Sequence, residues 1–369
     1  MSKIKVFLAN KKNHNFIIPI IAILLGFLFG SLIMVLSGLN PIDLFISLVR
    51  AVTGIDISNI GTGRKIFNAR YIGEYFVYVM PLVLTGLSAA FAFRTGLFNI
   101  GGEGQVVVGA FFATYVGLTF DLPGFLLLPA VILAGALGGA LWGFIPGILK
   151  AKFNVSEVVV TIMLNYIGMY STNYFLKQLP GSTNTKTVEL PQAGLLSSDF
   201  LAGITNNSRL HYGFIIVIIA VFIFWFVIEK TTFGYELKSV GYNPLASKYA
   251  GMKVERNAAL SMTIAGAFAG LAGAILVSGT FGYGRVINSF ENYGFDGLAV
   301  ALIGNSTGLG TFLGALLFGA LKAAQPIMQI NRIPRDIAII IISSIVVFIA
   351  MRNGIKMKLD KIKVKEVEK

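Results

Sequence analysis

The chain contains no cysteine. Neither a disulfide framework nor a thiolate zinc site can form. Histidine is almost as scarce. Only His14 and His211 occur, one in the N-terminal tail and one in a connector, and no carboxylate cluster joins them as a metal site would require. Charge is thin too: Asp, Glu, Lys and Arg make up 13% of the residues, where soluble domains carry about 25%. A phosphate loop is also missing. Gly61-Thr62-Gly63-Arg64-Lys65 has glycines and a basic pair but lacks the G-x-x-x-x-G-K-[ST] spacing, and no other segment matches it. These absences leave little room for a soluble enzyme, a metal centre or an ATP site in this chain.

Apolar surface is what the chain has in abundance. Of 369 residues, 55% are hydrophobic, and the mean hydropathy is +0.77. This composition defines an all-α polytopic membrane protein. The 42 glycines fit close helix packing in lipid. The net charge of +13 is no nucleic-acid signal, because it collects at the termini and in connectors assigned to the cytoplasm.

Reading in order, residues 16–37 form a first apolar run, too long for a signal peptide and followed by a turn, Ser37-Gly38-Leu39-Asn40-Pro41. Residues 38–74 form an extracellular loop with a short surface helix. Further spans follow over 75–93, 106–120, 125–149, 155–176 and 212–228, with a second extracellular loop at 177–211. Residues 230–257 form a cytoplasmic connector. Residues 258–278, 311–330 and 337–350 complete the set, the second interrupted by Lys322 and Pro326, and 352–369 is a basic cytoplasmic tail. Residues 295–304 are apolar but too short to span upright, so they predict a half-spanning helix. The Lys and Arg distribution favours ten spans in one permease domain with both ends inside; eight or nine crossings plus a half-helix fit equally.

Two places break the apolar pattern. Residues 95–105, TGLFNIGGEGQ, combine four glycines with Asn99, Glu103 and Gln105. Irregular backbone at membrane depth survives only where protein or a water-filled cavity satisfies it. Glu103 is therefore either functional or paired with Arg94 at a packing site. In the 155–176 span, Glu157, Thr161, Asn165 and Thr172 share one broad face. That stripe faces either a pathway or interhelical hydrogen bonds. Lys322 has no evident partner in the sequence.

The most informative stretch is 231–256, TTFGYELKSVGYNPLASKYAGMKVER. It contains a helix marked at both ends. Asn243 is the N-cap, Pro244 the first helical residue, and Gly251 the C-terminal stop. About two turns cannot stand alone in water. The face carrying Ala246, Tyr249 and Ala250 is either a mere surface turn or a seat for another protein. A bundle with polar breaks, no nucleotide site and a capped cytoplasmic helix is what a transporter driven by a separate motor needs.

The segment FGYELKSVGYNPLASKYAGM resembles the coupling loop of ATP-binding-cassette (ABC) importer permeases of the branched-chain amino acid, ribose and nucleoside group. Phe233, Gly234, Leu237, Lys238, Val240, Gly241, Asn243, Ala246, Tyr249, Ala250 and Gly251 carry the match, with Lys238 and Ser247 in place of the usual Arg and Ala. FRTGLFNIGGEGQ and SEVVVTIMLNYI are similar to the larger nucleoside-type permeases. The resemblance implies a vitamin-B12-importer-like (type II) fold of about ten helices, and a non-catalytic permease in a bacterial cell membrane. It implies a homologous second permease, a cytosolic ATPase that binds Mg-ATP, and an extracellular substrate-binding lipoprotein. This chain would hold no cofactor. Gly241, Asn243, Pro244, Ala246, Tyr249, Ala250 and Gly251 would form the coupling helix. Nucleosides are neutral, polar and flat, so Asn99, Glu103, Gln105, Asn165 and Asn305 are the pathway candidates. Sugars or branched-chain amino acids are the alternative cargo. An ion-coupled secondary transporter is the alternative of another class, and Glu103, Glu157 and Lys322 are few for it.

Overall fold

The computed structural model describes residues 13–62 and 65–360. The basic residues Lys3, Lys5, Lys11 and Lys12, the Gly63-Arg64 pair and the last part of the tail lie outside the described residues. The chain runs α1 (His14–Leu36), α2 (Pro41–Thr53), α3 (Ala69–Arg94), α4 (Gly102–Thr119), α5 (Gly124–Phe153) and α6 (Glu157–Gln178). Then come β1 (Lys186–Glu189), α7 (Asp199–Ile204), α8 (Gly213–Lys230), α9 (Thr232–Tyr242), α10 (Pro244–Tyr249) and α11 (Val254–Ile275). β2 (Tyr283–Arg285), α12 (Tyr293–Ile303), α13 (Gly308–Ile330), α14 (Asp336–Ala350) and α15 (Arg352–Asp360) close the order.

Among the described residues, six helices are long and apolar enough to cross a membrane: Ile17–Leu36, α3, α5, α8, Val254–Phe281 and α13. This is a multi-pass membrane protein. α14 joined to the end of α15 would add a seventh, but the two are bent by 57°. α6 has 22 residues, about 33 Å at 1.5 Å each. It has the length of a span but is too polar to pass with the others. α12 is the short helix that the sequence predicts.

Several expectations are corrected. α13 runs unbroken through Lys322 and Pro326, and the Lys322 charge is tolerated there because it has an ion-pair partner (below). The 177–211 loop contains β1, a 3-10 turn and α7, and β1 pairs antiparallel with β2. Residues 231–256 hold two helices where one is expected. The missed one, α9, is capped by Thr231, whose Oγ1 accepts the Gly234 N–H at 3.0 Å.

The centre of the bundle is α3, wrapped by α11, α12 and α13. Phe91 of α3 meets Phe224 of α8 edge-on at 5.9 Å and Phe268 of α11 at 6.1 Å. All three rings are buried, and such pairs add about 1 kcal/mol beyond area burial. α5 and α11 press together backbone to backbone. A Cβ on Gly139 would overlap the Gly266 carbonyl, and one on Gly266 would overlap the Gly139 carbonyl. Lipid supplies no hydrophobic drive between helices, so this close approach is the attraction itself.

The two ends of the bundle differ. At one end, Arg94 reaches Glu229 (3.3 Å) and the Ser306 carbonyl (2.8 Å), and Arg352 reaches Asn305 (2.6 Å). His14 and Asp360 also approach there, at 3.8 Å. At the other end are the β1–β2 pair, the Glu74–Arg209 ion pair (2.6 Å) and an Asn331–Ser47 hydrogen bond (3.1 Å). His211 is buried in that second end. Its Nδ1 accepts the Gly213 N–H at 3.1 Å, and Nε2 lies 3.3 Å from Thr280 Oγ1. Burial, helped by the nearby Arg209 charge, pushes the imidazole down to about 4 from 6.5.

Two predictions follow from this packing. Gly139→Val forces α5 off α11 against backbone that cannot rotate away, so the detergent-solubilised protein should lose stability on the order of 3 kcal/mol in thermal unfolding. His211 binds a proton more readily when unfolded, so stability is full above pH 6.5 and falls as pH drops toward 4. That cost is about 2 kcal/mol at pH 5, and His211→Gln should flatten the melting temperature between pH 7 and pH 5.

Candidate functional site: a docking helix and a buried polar knot

α9 and α10 form a hairpin at the Arg94 end. Asn243 Oδ1 accepts the Ala246 N–H at 3.0 Å, and Pro244 occupies the first position, where no donor is needed. Gly251, with φ +84°, takes the left-handed conformation just past the Ala250 C-cap. The sequence therefore defines both ends of α10. Its seat is defined by Gly241. A Cβ there would come within 2.6 Å of the Arg94 carbonyl and 2.9 Å of the Gly96 nitrogen. Only glycine lets the end of α9 rest on the last turn of α3. Lys238 holds Glu229 at 2.8 Å, and Asn257 donates to Glu236 at 2.7 Å.

What this rigid seat presents is aromatic and apolar. Tyr242 is 95% exposed, Leu245 72% and Tyr249 92%. Ala246 and Ala250 are exposed beside them, whereas Ser247 is buried against the protein. Tyr242 and Leu245 are the residues that sequence reasoning passed over. The Phe233, Leu237, Val240 spacing, four then three, is the signal that would have revealed α9.

The second feature is the start of α4. Asn99, Glu103, Gln105 and Asn165 come together there, all buried. Asn99 and Gln105 exchange amide hydrogen bonds at 2.9 and 3.2 Å. Asn99 also donates to Ser88 and accepts the Gly101 N–H. Asn165 spans the turn, accepting from Gly104 N (2.8 Å) and donating to the Ile100 carbonyl (3.1 Å). Their polar atoms are turned onto the chain itself. Asn305 is not part of this knot. It has φ +52°, sits between α12 and α13, and accepts from Arg352.

Glu103 does not pair with Arg94. Its carboxylate accepts the backbone N–H groups of Asn292 (2.9 Å) and Gly294 (2.6 Å). α12 has no side-chain cap of its own, so Glu103 on α4 caps it across the bundle. Gly294 makes this possible, because a Cβ there would collide with the Glu103 nitrogen. Lys322 is also partnered. It contacts Asp296 at 2.7 Å, donates to the Glu291 carbonyl at 3.2 Å and lies 4.5 Å over the Tyr293 ring. Glu157 pairs with Lys150 at 3.2 Å. Among the described residues, no group of three His, Asp or Glu is placed to hold a metal.

A multi-pass bundle that presents a capped, exposed short helix at one end has the build of a transport permease. The chain belongs to the family described as branched-chain amino acid transport system / permease component, which it matches over residues 71–351. It is 44% identical to the guanosine ABC transporter permease protein NupP of Bacillus subtilis, over 96% of this chain and 99% of that protein. It is 38% identical to the nucleoside ABC transporter permease protein NupB of Lactococcus lactis, over 96% of each chain. It is also 29% identical to the guanosine ABC transporter permease protein NupQ of B. subtilis, over 71% of this chain and 83% of that one. No solved structure matches the chain at a significant level.

Removing the Glu103 carboxylate strands two N–H groups at the start of α12, that of Gly294 buried and that of Asn292 partly so. Glu103→Ala should cost on the order of 3 kcal/mol in thermal unfolding, and Glu103→Gln, which keeps one acceptor oxygen, less.

Proposed function

We propose that this chain is the larger permease subunit of an ABC importer for nucleosides. The observation that carries the reading is the near full-length identity to two permeases named for guanosine and nucleoside transport. NupP and NupQ, two different permeases named for guanosine in one organism, both match this chain. A heterodimer with a shorter homologous permease follows. α10 seats a cytosolic ATPase, which binds Mg-ATP and hydrolyses it. An extracellular lipoprotein delivers the solute.

The path of the chain supports ten crossings in a vitamin-B12-importer-like arrangement. Six of the described helices are long and apolar enough to cross, and on this reading α4, α6 and α14 make three more passes. Residues 286–292 together with α12 make the remaining pass, from the β1–β2 end to the Arg94 end. On this reading His14 and Asp360, which approach each other, lie on the α10 side, in the cytoplasm, in accord with the basic sequence at both ends. The buried knot of Asn99, Glu103, Gln105 and Asn165 then acts as a brace behind the pathway.

The test is on α9. Gly241→Val lifts the α9–α10 hairpin from α3 and should lower nucleoside uptake by at least tenfold in cells carrying the whole importer. The complex should still assemble and hydrolyse ATP. Wild-type uptake in that variant would remove the coupling role.

A further inference from the structure

α6 is long enough to span, and its polar groups lie mainly on the face turned into the bundle. Its buried face is Thr161, Asn165, Gly168 and Thr172. Its other side carries Tyr166, Tyr170 and Tyr174, all at least half exposed. Along that side runs the irregular strap of residues 286–292, which enters the bundle after β2. Asn173 fixes its upper part with a pair of hydrogen bonds, accepting from Ile287 N (3.1 Å) and donating to Ile287 O (2.7 Å). The Glu103 carboxylate fixes its lower end at Asn292 N. Between these anchors Phe290 stands against Tyr166, ring centroids 5.1 Å apart, and 6.4 Å from Phe295. Tyr166 lies seven residues before Asn173, about 10 Å further along the helix and close to its middle.

Four polar side chains lie on this strap. Glu291 pairs with Arg285, whereas Asn288, Ser289 and Asn292 are exposed. None of these three makes a side-chain hydrogen bond within the described residues. An amide or hydroxyl without a partner is strongly disfavoured against acyl chains. This face is therefore not lipid-facing. It combines flat rings with free donors and acceptors.

We propose that the Tyr166–Phe290–Phe295 cluster and the exposed Asn288, Ser289 and Asn292 form the passage surface for a nucleoside, with the rings stacking on the base and the strap side chains bonding base edge and sugar hydroxyls. The proposal rests on the nucleoside reading above and replaces the buried amides as the contacting groups. Stacking on any base needs only a π face, so the surface tolerates different nucleosides while holding none tightly. That suits a conduit.

The lack of cysteine makes the test direct. Tyr166→Cys and Asn288→Cys each place one thiol in this chain, and the unsubstituted complex sets the background. Complete importer is prepared in membranes open to both sides and treated with a membrane-impermeant methanethiosulfonate. Both thiols should label, and guanosine, unlike leucine, should slow labelling at least threefold. Phe226→Cys, on the apolar face of α8, is the control expected to stay unlabelled. Absence of labelling at 166 and 288 means lipid or a dry partner surface covers them and overturns the proposal; so does labelling that guanosine leaves unchanged. In uptake assays Tyr166→Leu should lower kcat/KM for guanosine about tenfold, and Tyr166→Phe, which keeps the ring, should restore most of it. No change in Tyr166→Leu overturns the proposal also. A complex that imports ribose but not guanosine overturns the nucleoside reading itself, a result distinct from lost protection in a complex that does import guanosine.

Discussion

The structure depends on one carboxylate doing the work of a helix cap at a distance. A chain that starts a helix inside a bilayer leaves its first N–H groups without water to bond them. Glu103 answers that need for α12 by accepting from Asn292 and Gly294. The same bond fixes α4, α12 and the strap relative to one another. Around it, Lys322 neutralises Asp296, and Asn165 satisfies the turn that leads into α4. Each irregular element is held by a side chain from a different helix, so these elements move together or not at all.

That rigidity matters at the α10 end. α10 is too short to persist by itself. It is kept in shape by Asn243 and Pro244, and it is held in place through α9 by the contact of Gly241 with the last turn of α3. α3 is also the helix around which the core is built. A push on Tyr249 or Leu245 therefore reaches the centre of the bundle through backbone contact instead of through loops.

Local signals were legible in the sequence, and long-range partners were not. Asn243, Pro244 and Gly251 announce α10 because a cap is a property of neighbours in the chain. The half-helix at α12 was visible because an apolar run of ten residues cannot span. The partner of Glu103 was misread because Arg94 is near in sequence, whereas Asn292 and Gly294 are nearly two hundred residues away. Lys322 is the same case, since Asp296 becomes its neighbour only once α12 folds back on α13. The amides at 99, 105 and 165 were recognisable as polar groups at membrane depth, but whether such groups face a solute or each other is decided by tertiary packing. α9 was overlooked because its apolar spacing lies inside a stretch that reads as connector.

The exposed strap has a consequence for a subunit on its own. Alone in a bilayer, it would set the amides of Asn288 and Asn292 and the hydroxyl of Ser289 against hydrocarbon, a cost that water held along that side removes.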